Sequence, residues 1–410
     1  MNNKVRKIFA IIILVLLLVI SSTTFYGIKG IDNLAYVVAI GLDVGEHEDL
    51  KLSLQISIPN SSGDSSSSSQ SSSVVVNSIE CPSINTGINL FNSYLGKEVN
   101  LSHCKVLVIS EELASKGVSE YLYTLTNDIQ FRNDSNIIIS KCDANAFLEY
   151  SAPALDKVSA RYYEIAPSSS EYTGYTESTV LNEFFSSTTD SYSDPVAVLG
   201  SINTGSSQSS DTSSSSYYTA GQTPISGEPG VETMGLAVFN GDKLVGELNG
   251  FESICHLIIS NKLKNAQIRI PSPIKELDYI DLNIELDKDT KSSVLLVNGT
   301  PYITSKVSIN AKMQSMNGNI DLNNDEVIAK IEQVSSDFLK QNISNYLYKT
   351  SKNLHADIDS FGLYASKYFS TTSQWEEYNW LSHYKYSFFD VTVDFNLRSS
   401  YSLVSTNNSQ

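Results

Sequence analysis

LAYVVAIGLDVGEHEDLKLSLQISIP, residues 34–59, sets two strand patterns side by side. Leu34 to Val44 is a short apolar run bounded by glycines, the pattern of a buried strand. From Leu50 the residues alternate: Leu50, Leu52, Leu54, Ile56 and Ile58 share one face, and Lys51, Ser53, Gln55 and Ser57 the other. The polar GEHED between the runs predicts a turn joining neighbouring strands.

Downstream, NSSGDSSSSSQSSS (60–73) offers no apolar surface to bury and predicts a flexible loop. VVVNSIE and KVLVIS read as strands and SINTGINLFNSYLGK as a helix. In EELASKGVSEYLYTLTNDIQFR the period becomes helical, with Leu113, Val118, Tyr121, Leu122 and Leu125 on one face. NIIISK returns to strand, and CDANAFLEY begins a helix with Asp143 placed as N-cap. Strands alternating with helices predict an α/β layer over residues 29–200. Residues 201–230, rich in Ser and Gly, predict a linker or long exposed loop. TMGLAVFNGDKLVGELNG then reads as a hairpin turning at Asn240-Gly241-Asp242 in a small middle domain, 231–274.

The C-terminal domain, 275–403, is expected as an α+β module followed by a tail, 404–410. YIDLNIELD, SSVLLVNGT and PYITSKVSINAKMQ read as three strands, and FFDVTVDFNLRS as a fourth with Val391, Val393, Phe395 and Leu397 inward. Between them a long helix is capped by Asn324, carries Asp325 and Glu326 in its first turn, and lines Val327, Ile331, Val334, Phe338 and Leu339 along one stripe. The fold class is therefore α+β, a three-domain exported body ending in a mainly antiparallel four-stranded sheet packed by one long helix.

Residues 1–28 read as a signal-anchor. Lys4, Arg6 and Lys7 precede the apolar run Ile8–Ile20, and Ile8–Tyr26 is long enough to span a bilayer. The positive-inside rule keeps the N-terminus cytoplasmic and sets the body outside. With 45 acidic against 28 basic residues and a net charge of -17, the chain lacks the surface that nucleic-acid binding needs.

Catalytic signatures are missing. His47, His103, His256, His355 and His383 are scattered, and HEDLK lacks the second His of a zinc-protease helix. There is no G-x-S-x-G elbow and no phosphate-binding loop. Cys81, Cys104, Cys142 and Cys255 form no short-spaced metal set and read as small buried hydrophobes, with a Cys81 bridge to Cys104 or Cys142 left open. No catalytic, cofactor-binding or metal-ligating residue is nominated. Glu120, Asp128, Arg132 and Asp134 read either as a binding patch or as a helix end where Arg132 pairs locally. The aromatic stretch around Trp375 and Trp380 reads either as a partner surface or as a packed wall.

In order along the chain, GIDNLAYVVAIGLD, NDIQFRND with IIISKCDANAFL, DPVAVL, MGLAVFNGDKLVGELNGFES, DIDSFGLYASKYF, Trp375, Trp380 and VTVDFNL together resemble the Ger(x)C family, the C subunit of spore germinant receptors. The resemblance implies three α+β domains and a non-enzymatic, cofactor-free subunit. It implies a place on the outer face of the spore inner membrane, with two integral membrane subunits, an A-type and a permease-like B-type, as partners. Assembly or signal transmission is the role it allows; an extracytoplasmic solute-binding or adhesive protein is the alternative. Family members usually carry a lipid on a Cys before a Trp-Asp pair. Here Phe25 and Tyr26 stand in that region and the first cysteine is Cys81, so the apolar helix itself is the expected anchor.

Overall fold

The computed structural model describes residues 3–24, 33–58, 74–151, 163, 169–205, 215–273, 278–316 and 324–398, with the side chains of the first helix described over 5–17. The expected loop 60–73 and tail 404–410 lie outside the described residues. Helix α1, Asn3–Thr24, has 22 residues, which at 1.5 Å each extend about 33 Å. Its described apolar side chains, Ile8 to Leu17 among them, are exposed. Among the described residues no helix is long and apolar enough to cross a membrane.

Nine strands form the first sheet: β1 (Leu34–Val44), β2 (Leu50–Ser57), β3 (Val74–Cys81), β4 (Glu98–Asn100), β5 (Val106–Ser110), β6 (Asn136–Ser140), β7 (Val196–Asn203), β8 (Gly230–Asn240) and β9 (Lys243–Leu248). Their order is β3-β2-β1-β5-β6-β7-β8-β9, with β4 beside β1. The centre, β1-β5-β6-β7, is parallel, and both flanks are antiparallel. Parallel strands need crossovers. Here they carry α2 (Ile84–Leu95), α3 (Glu111–Lys116), α4 (Ser119–Thr126), α5 (Ala144–Tyr150), α6 (Ser170–Thr173) and α7 (Leu181–Thr189).

These elements cover the sheet on both faces. Leu107, Ile109, Ile137 and Ile139 belong to one core, while their strand neighbours Val106, Val108 and Ile138 belong to another. Burial on two sides explains the unbroken apolar runs of β1, β5 and β6. It extends to the polar face of β2, where Ser53 and Gln55 are buried along with Leu52 and Leu54 of the opposite face. The Gln55 amide donates to the Leu148 carbonyl at 3.0 Å, and its oxygen accepts from Tyr163 Oη at 2.9 Å, so the second face is polar yet dry.

Asp143 occupies the N-cap position of α5 but its side chain makes no cap bond. The carboxylate of Asp43, at the end of β1, takes that role, accepting from Ala144 N at 2.6 Å and Asn145 N at 3.0 Å. A cap supplied from another strand satisfies the same orphan donors, and burial raises the Asp43 pKa. The expected single helix after Ser110 is two, α3 and α4, separated at Gly117 and Val118. Within 201–230, Ser201–Asn203 continue β7 and Gly230 begins its antiparallel neighbour β8, so the described residues between them are a connection within one sheet.

The second sheet follows the order β10-β11-β12-β13. Its strands are β10 (Ala266–Pro271), β11 (Tyr279–Val297), β12 (Thr300–Met316) and β13 (Phe388–Arg398). The first three are antiparallel and β13 runs parallel to β12. The two strands expected at 279–287 and 292–300 are one long strand, irregular in register near Leu286 to Lys291 and turned into β12 at Asn298-Gly299. Both turn residues have positive φ, 50° and 79°, as a two-residue hairpin requires. The fourth strand is β10, which comes from the segment 231–274. That segment is shared: β8 and β9 finish the first sheet and β10 edges the second.

Helix α9 (Asp325–Tyr348) is capped by Asn324, whose side chain accepts from Glu326 N at 2.9 Å. Ile331, Leu339 and Ile343 bury against Ile303, Val307, Val391 and Phe395. Alternation inward and outward along β13 follows, because only one face of this sheet is covered. The edge of β13 is tied to α9: Ser336 Oγ donates to the Val393 carbonyl at 2.7 Å, and Leu397 N donates to Glu332 Oε1 at 2.8 Å. Such side-chain closure leaves less of the edge free for another strand.

Candidate functional site

Between the sheets lies α8 (Gly250–Ile259), whose residues GFESICHLII are apolar on almost every side. A helix of that kind must be buried all round. Phe251, Ile254, Leu257 and Ile258 join Leu236 and Val238 of the first sheet to Ile280, Ile303 and Ile343 of the second module in one core. A capping box between Asn249 and Glu252 starts the helix. Glu252 also receives Lys349 Nζ at 2.7 Å, from the turn that ends α9.

His256 stands in the middle of this apolar helix, 1% exposed. Buried polar groups need partners, and both ring nitrogens have one. Nε2 lies 2.7 Å from Glu177 Oε2, and Nδ1 lies 2.9 Å from Asp359 Oδ1. Tyr346 Oη donates to the other oxygen of Asp359 at 2.8 Å, and Lys262 pairs with Glu177 at the surface end. Burial opposes a charge on His256, but Glu177 and Asp359 outweigh it and lift the pKa to about 9. Burial likewise opposes a charge on Glu177, and His256 and Lys262 outweigh it, bringing that carboxyl to about 2. At neutral pH this is an imidazolium held between the Glu177 carboxylate and Asp359.

A second polar contact ties the halves directly. Asp194 precedes β7, and Asp357 follows a π-helical turn, Lys349–Leu354, that ends α9. Asp194 N donates to the Asp357 carbonyl at 2.8 Å, and Asp357 N donates back to Asp194 Oδ2 at 3.0 Å. The other Asp194 oxygen accepts from Gly241 N at 2.9 Å, in the β8–β9 turn. Asp357 accepts from Phe361 N (3.1 Å), Gly362 N (2.9 Å) and Trp380 Nε1 (2.7 Å). Burial dominates over these N–H bonds, and the neighbouring acids Asp190 and Asp359 add to it, pushing Asp194 up to about 6 and Asp357 up to about 8.

Three short helices complete the join: α10 (Phe361–Ala365), α11 (Thr372–Tyr378) and α12 (Trp380–Tyr384). Trp375 Nε1 donates to Ser191 Oγ at 2.9 Å and its ring stacks on Tyr192, 5.1 Å between centroids. Trp380 is buried beneath it. A Cβ on Gly362 would stand 2.3 Å from the Tyr192 carbonyl oxygen, so the close approach of the two segments depends on that glycine. The aromatic stretch is therefore a packed wall at its tryptophans, while Tyr364, Tyr368 and Tyr386 remain on the surface.

Arg132 pairs with Asp134, two residues away, as the local reading expects. Cys81, Cys104 and Cys255 are buried, and all four cysteines are free. Among the described residues no group of three His, Cys, Asp or Glu is placed to hold a metal ion. His256, counted among scattered histidines in the sequence, proves to be the centre of the junction. Its signal was a lone titratable residue in ESICHLIIS, a run with no polar face to carry it. The imidazole has no nitrogen left to deprotonate a nucleophile, since a carboxylate occupies each one.

Fold and site together define a two-sheet α+β protein whose halves are locked by a buried polar junction. A family model described as "Spore germination protein N-terminal domain" matches residues 28–202, and one described as "Spore germination B3/ GerAC like, C-terminal" matches residues 234–401. The chain belongs to the Ger(x)C family and acts in spore germination. It is 25% identical over 372 residues to Spore germination protein KC of Bacillus subtilis (strain 168), covering 89% of this chain and 88% of that one. The solved structure titled "Crystal Structure of the GerBC protein" shares the fold, with a TM-score of 0.51 and 13% identity over 88% of this chain and 97% of the other. The stretches that carried the resemblance, DPVAVL, MGLAVFNGDKLVGELNGFES and DIDSFGLYASKYF, meet at Asp194, Gly241 and Asp357.

Proposed function

We propose that this chain is the non-enzymatic C subunit of a spore germinant receptor, held at the spore inner membrane by α1 with its body on the outer face. Its partners are two integral membrane subunits, an A-type and a permease-like B-type. The role is mechanical: displacement of one sheet by a partner is passed to the other through the junction, so that the body assembles and responds as one piece. The observation that carries this reading is the His256 cluster, where buried charges are used up on each other across the two modules. A buried ion pair of this kind is a better device for fixing one arrangement than for adding stability. The apolar run Ile8–Ile20 with its basic leader supports the anchor.

Gentle detergent extraction of dormant-spore inner membranes with a C-terminal tag, followed by mass identification of what comes with it, tests the proposal. The expected result is recovery with a permease-like and a second multi-span subunit, residues 1–26 still attached. Release as a lone chain without detergent would overturn it.

A further inference from the structure

The open face of the second sheet carries an apolar row at its hairpin end. Leu295 of β11, Tyr302 of β12 and Phe388 of β13 are cross-strand neighbours in register. They are exposed by 55%, 43% and 49%. Tyr302 and Phe388 stack at 5.1 Å, so the row is a formed surface and not three separate side chains. Contiguous apolar surface on a soluble body marks a contact site.

Lysines rim the row. Lys352 Nζ lies 5.5 Å from the Phe388 ring centre and donates to the Lys385 carbonyl at 2.7 Å. Lys385 Nζ lies 5.2 Å from the Tyr386 ring, itself 55% exposed. The same pairing recurs at Lys367 and Tyr368, whose hydroxyl donates to the Val294 carbonyl at 2.9 Å beside Leu295. Further along the same face, Lys291 and Lys306 are paired across β11 and β12, with Asp390 of β13 between them and Phe388. This cluster of ammonium groups belongs to a chain of net charge -17, so it is a local feature and not the general charge of the surface.

Two classes of partner present themselves, and the lysines separate them. The centres of protein interfaces are depleted of Lys, whose desolvation is costly. A bilayer interface favours aromatic rings at headgroup depth with lysine stems lying along them and ammonium groups reaching the phosphates. We infer that the Leu295–Tyr302–Phe388 row with Lys352, Lys367 and Lys385 docks on an anionic phospholipid surface and sets how the body lies on the membrane. The inference rests on the anchored reading for the bilayer's being within reach. Each lysine brought to an anionic surface strengthens contact about fivefold, so the three together contribute roughly a hundredfold.

The test uses the full chain carrying Phe388→Trp, reconstituted into phosphatidylcholine vesicles with and without phosphatidylglycerol, some lipids brominated in the upper acyl chain. Flotation at high salt reports the anchor, and loss of tryptophan emission beyond that of the parent chain reports docking. Expected are quenching that requires phosphatidylglycerol, and its loss in the triple variant Lys352→Glu, Lys367→Glu, Lys385→Glu while flotation persists. Tyr302→Trp, on the same row, repeats the measurement should the first variant fold poorly. A floating chain with no quenching, or equal quenching in neutral vesicles, would overturn the docking surface and leave the anchor standing. Failure to float would instead count against the anchor, and quenching at excess vesicles would still decide the surface. Shielding of the row only when other receptor subunits are added would overturn the lipid and point to protein.

Discussion

The His256 cluster and the Asp194–Asp357 pair are both buried, yet they hold their carboxylates in opposite ways. Around His256 each acid faces a cation or shares a tyrosine hydroxyl, and Glu177 is brought down to about 2. At the pair the acids accept from N–H groups, with no cation among these partners, and burial takes Asp194 and Asp357 to about 6 and about 8. The first contact is electrostatic and joins α8 to both modules. The second is a backbone interlock in which each aspartate bonds the other's chain. A junction built on both principles loses its two parts at different pH.

The largest effect should come from breaking the electrostatic part. His256→Leu leaves Asp359 buried without its cation and Glu177 with Lys262 alone, and removal of one partner from such a site costs about 3–5 kcal/mol. Denaturant unfolding at pH 7 checks this, and a loss under about 1 kcal/mol would mean the imidazolium is not what holds the acids. Asp357→Asn should cost about 1–3 kcal/mol at pH 5, because an amide turns an N–H toward a backbone or indole donor where a carboxyl oxygen accepted. The penalty should shrink as the pH approaches 8, since the wild-type acid then bears the cost of a buried charge.

The pH profile of wild-type stability sharpens the contrast. Asp194 and Asp357 keep their protons in the folded chain where the unfolded chain, near 3.8, has released them, so stability falls as pH rises from about 4 to about 8. The share from His256, raised from 6.5 to about 9, is whole below about 6.5 and is lost as pH climbs through about 9. The share from Glu177, lowered from 4.5 to about 2, is whole above about 4.5 and is lost as pH falls through about 2. Thermal unfolding followed across pH should therefore peak near pH 4.5, with His256→Leu flattening the limb above 6.5. A maximum near pH 8 would contradict these assignments. Smallest of all is Lys262→Met: the lysine is 55% exposed, solvent screens it, and the loss should stay below about 1 kcal/mol by denaturant unfolding.

What the sequence disclosed divides along the same lines as the sheets. Where one face is covered, as in β13, alternation fixes which residues turn inward, and Val391 and Phe395 do. Asn324 and the stripe of α9 were legible because caps and helical periods are local. Where both faces are covered, alternation tells the faces apart but not what covers them: Ser53 and Gln55 read as a polar face, and α5 and Tyr163 lie over them. The length of β11 was hidden by the irregular stretch at Leu286 to Lys291, which mimics a turn. Asp43 as the cap of α5, and His256 with partners 79 and 103 residues away, depend on contacts that no local window contains.

The most direct test of the central claim, that the junction makes two sheets respond as one, is native-state hydrogen exchange under rising denaturant. Amides of Ile137–Ile139 in the first sheet would be followed with those of Ile303–Ile309 in the second, in wild type and in His256→Leu. The account predicts that both sets open with a common free energy in wild type and separate in the variant. Two distinct opening energies in wild type, unmoved by the substitution, would contradict it.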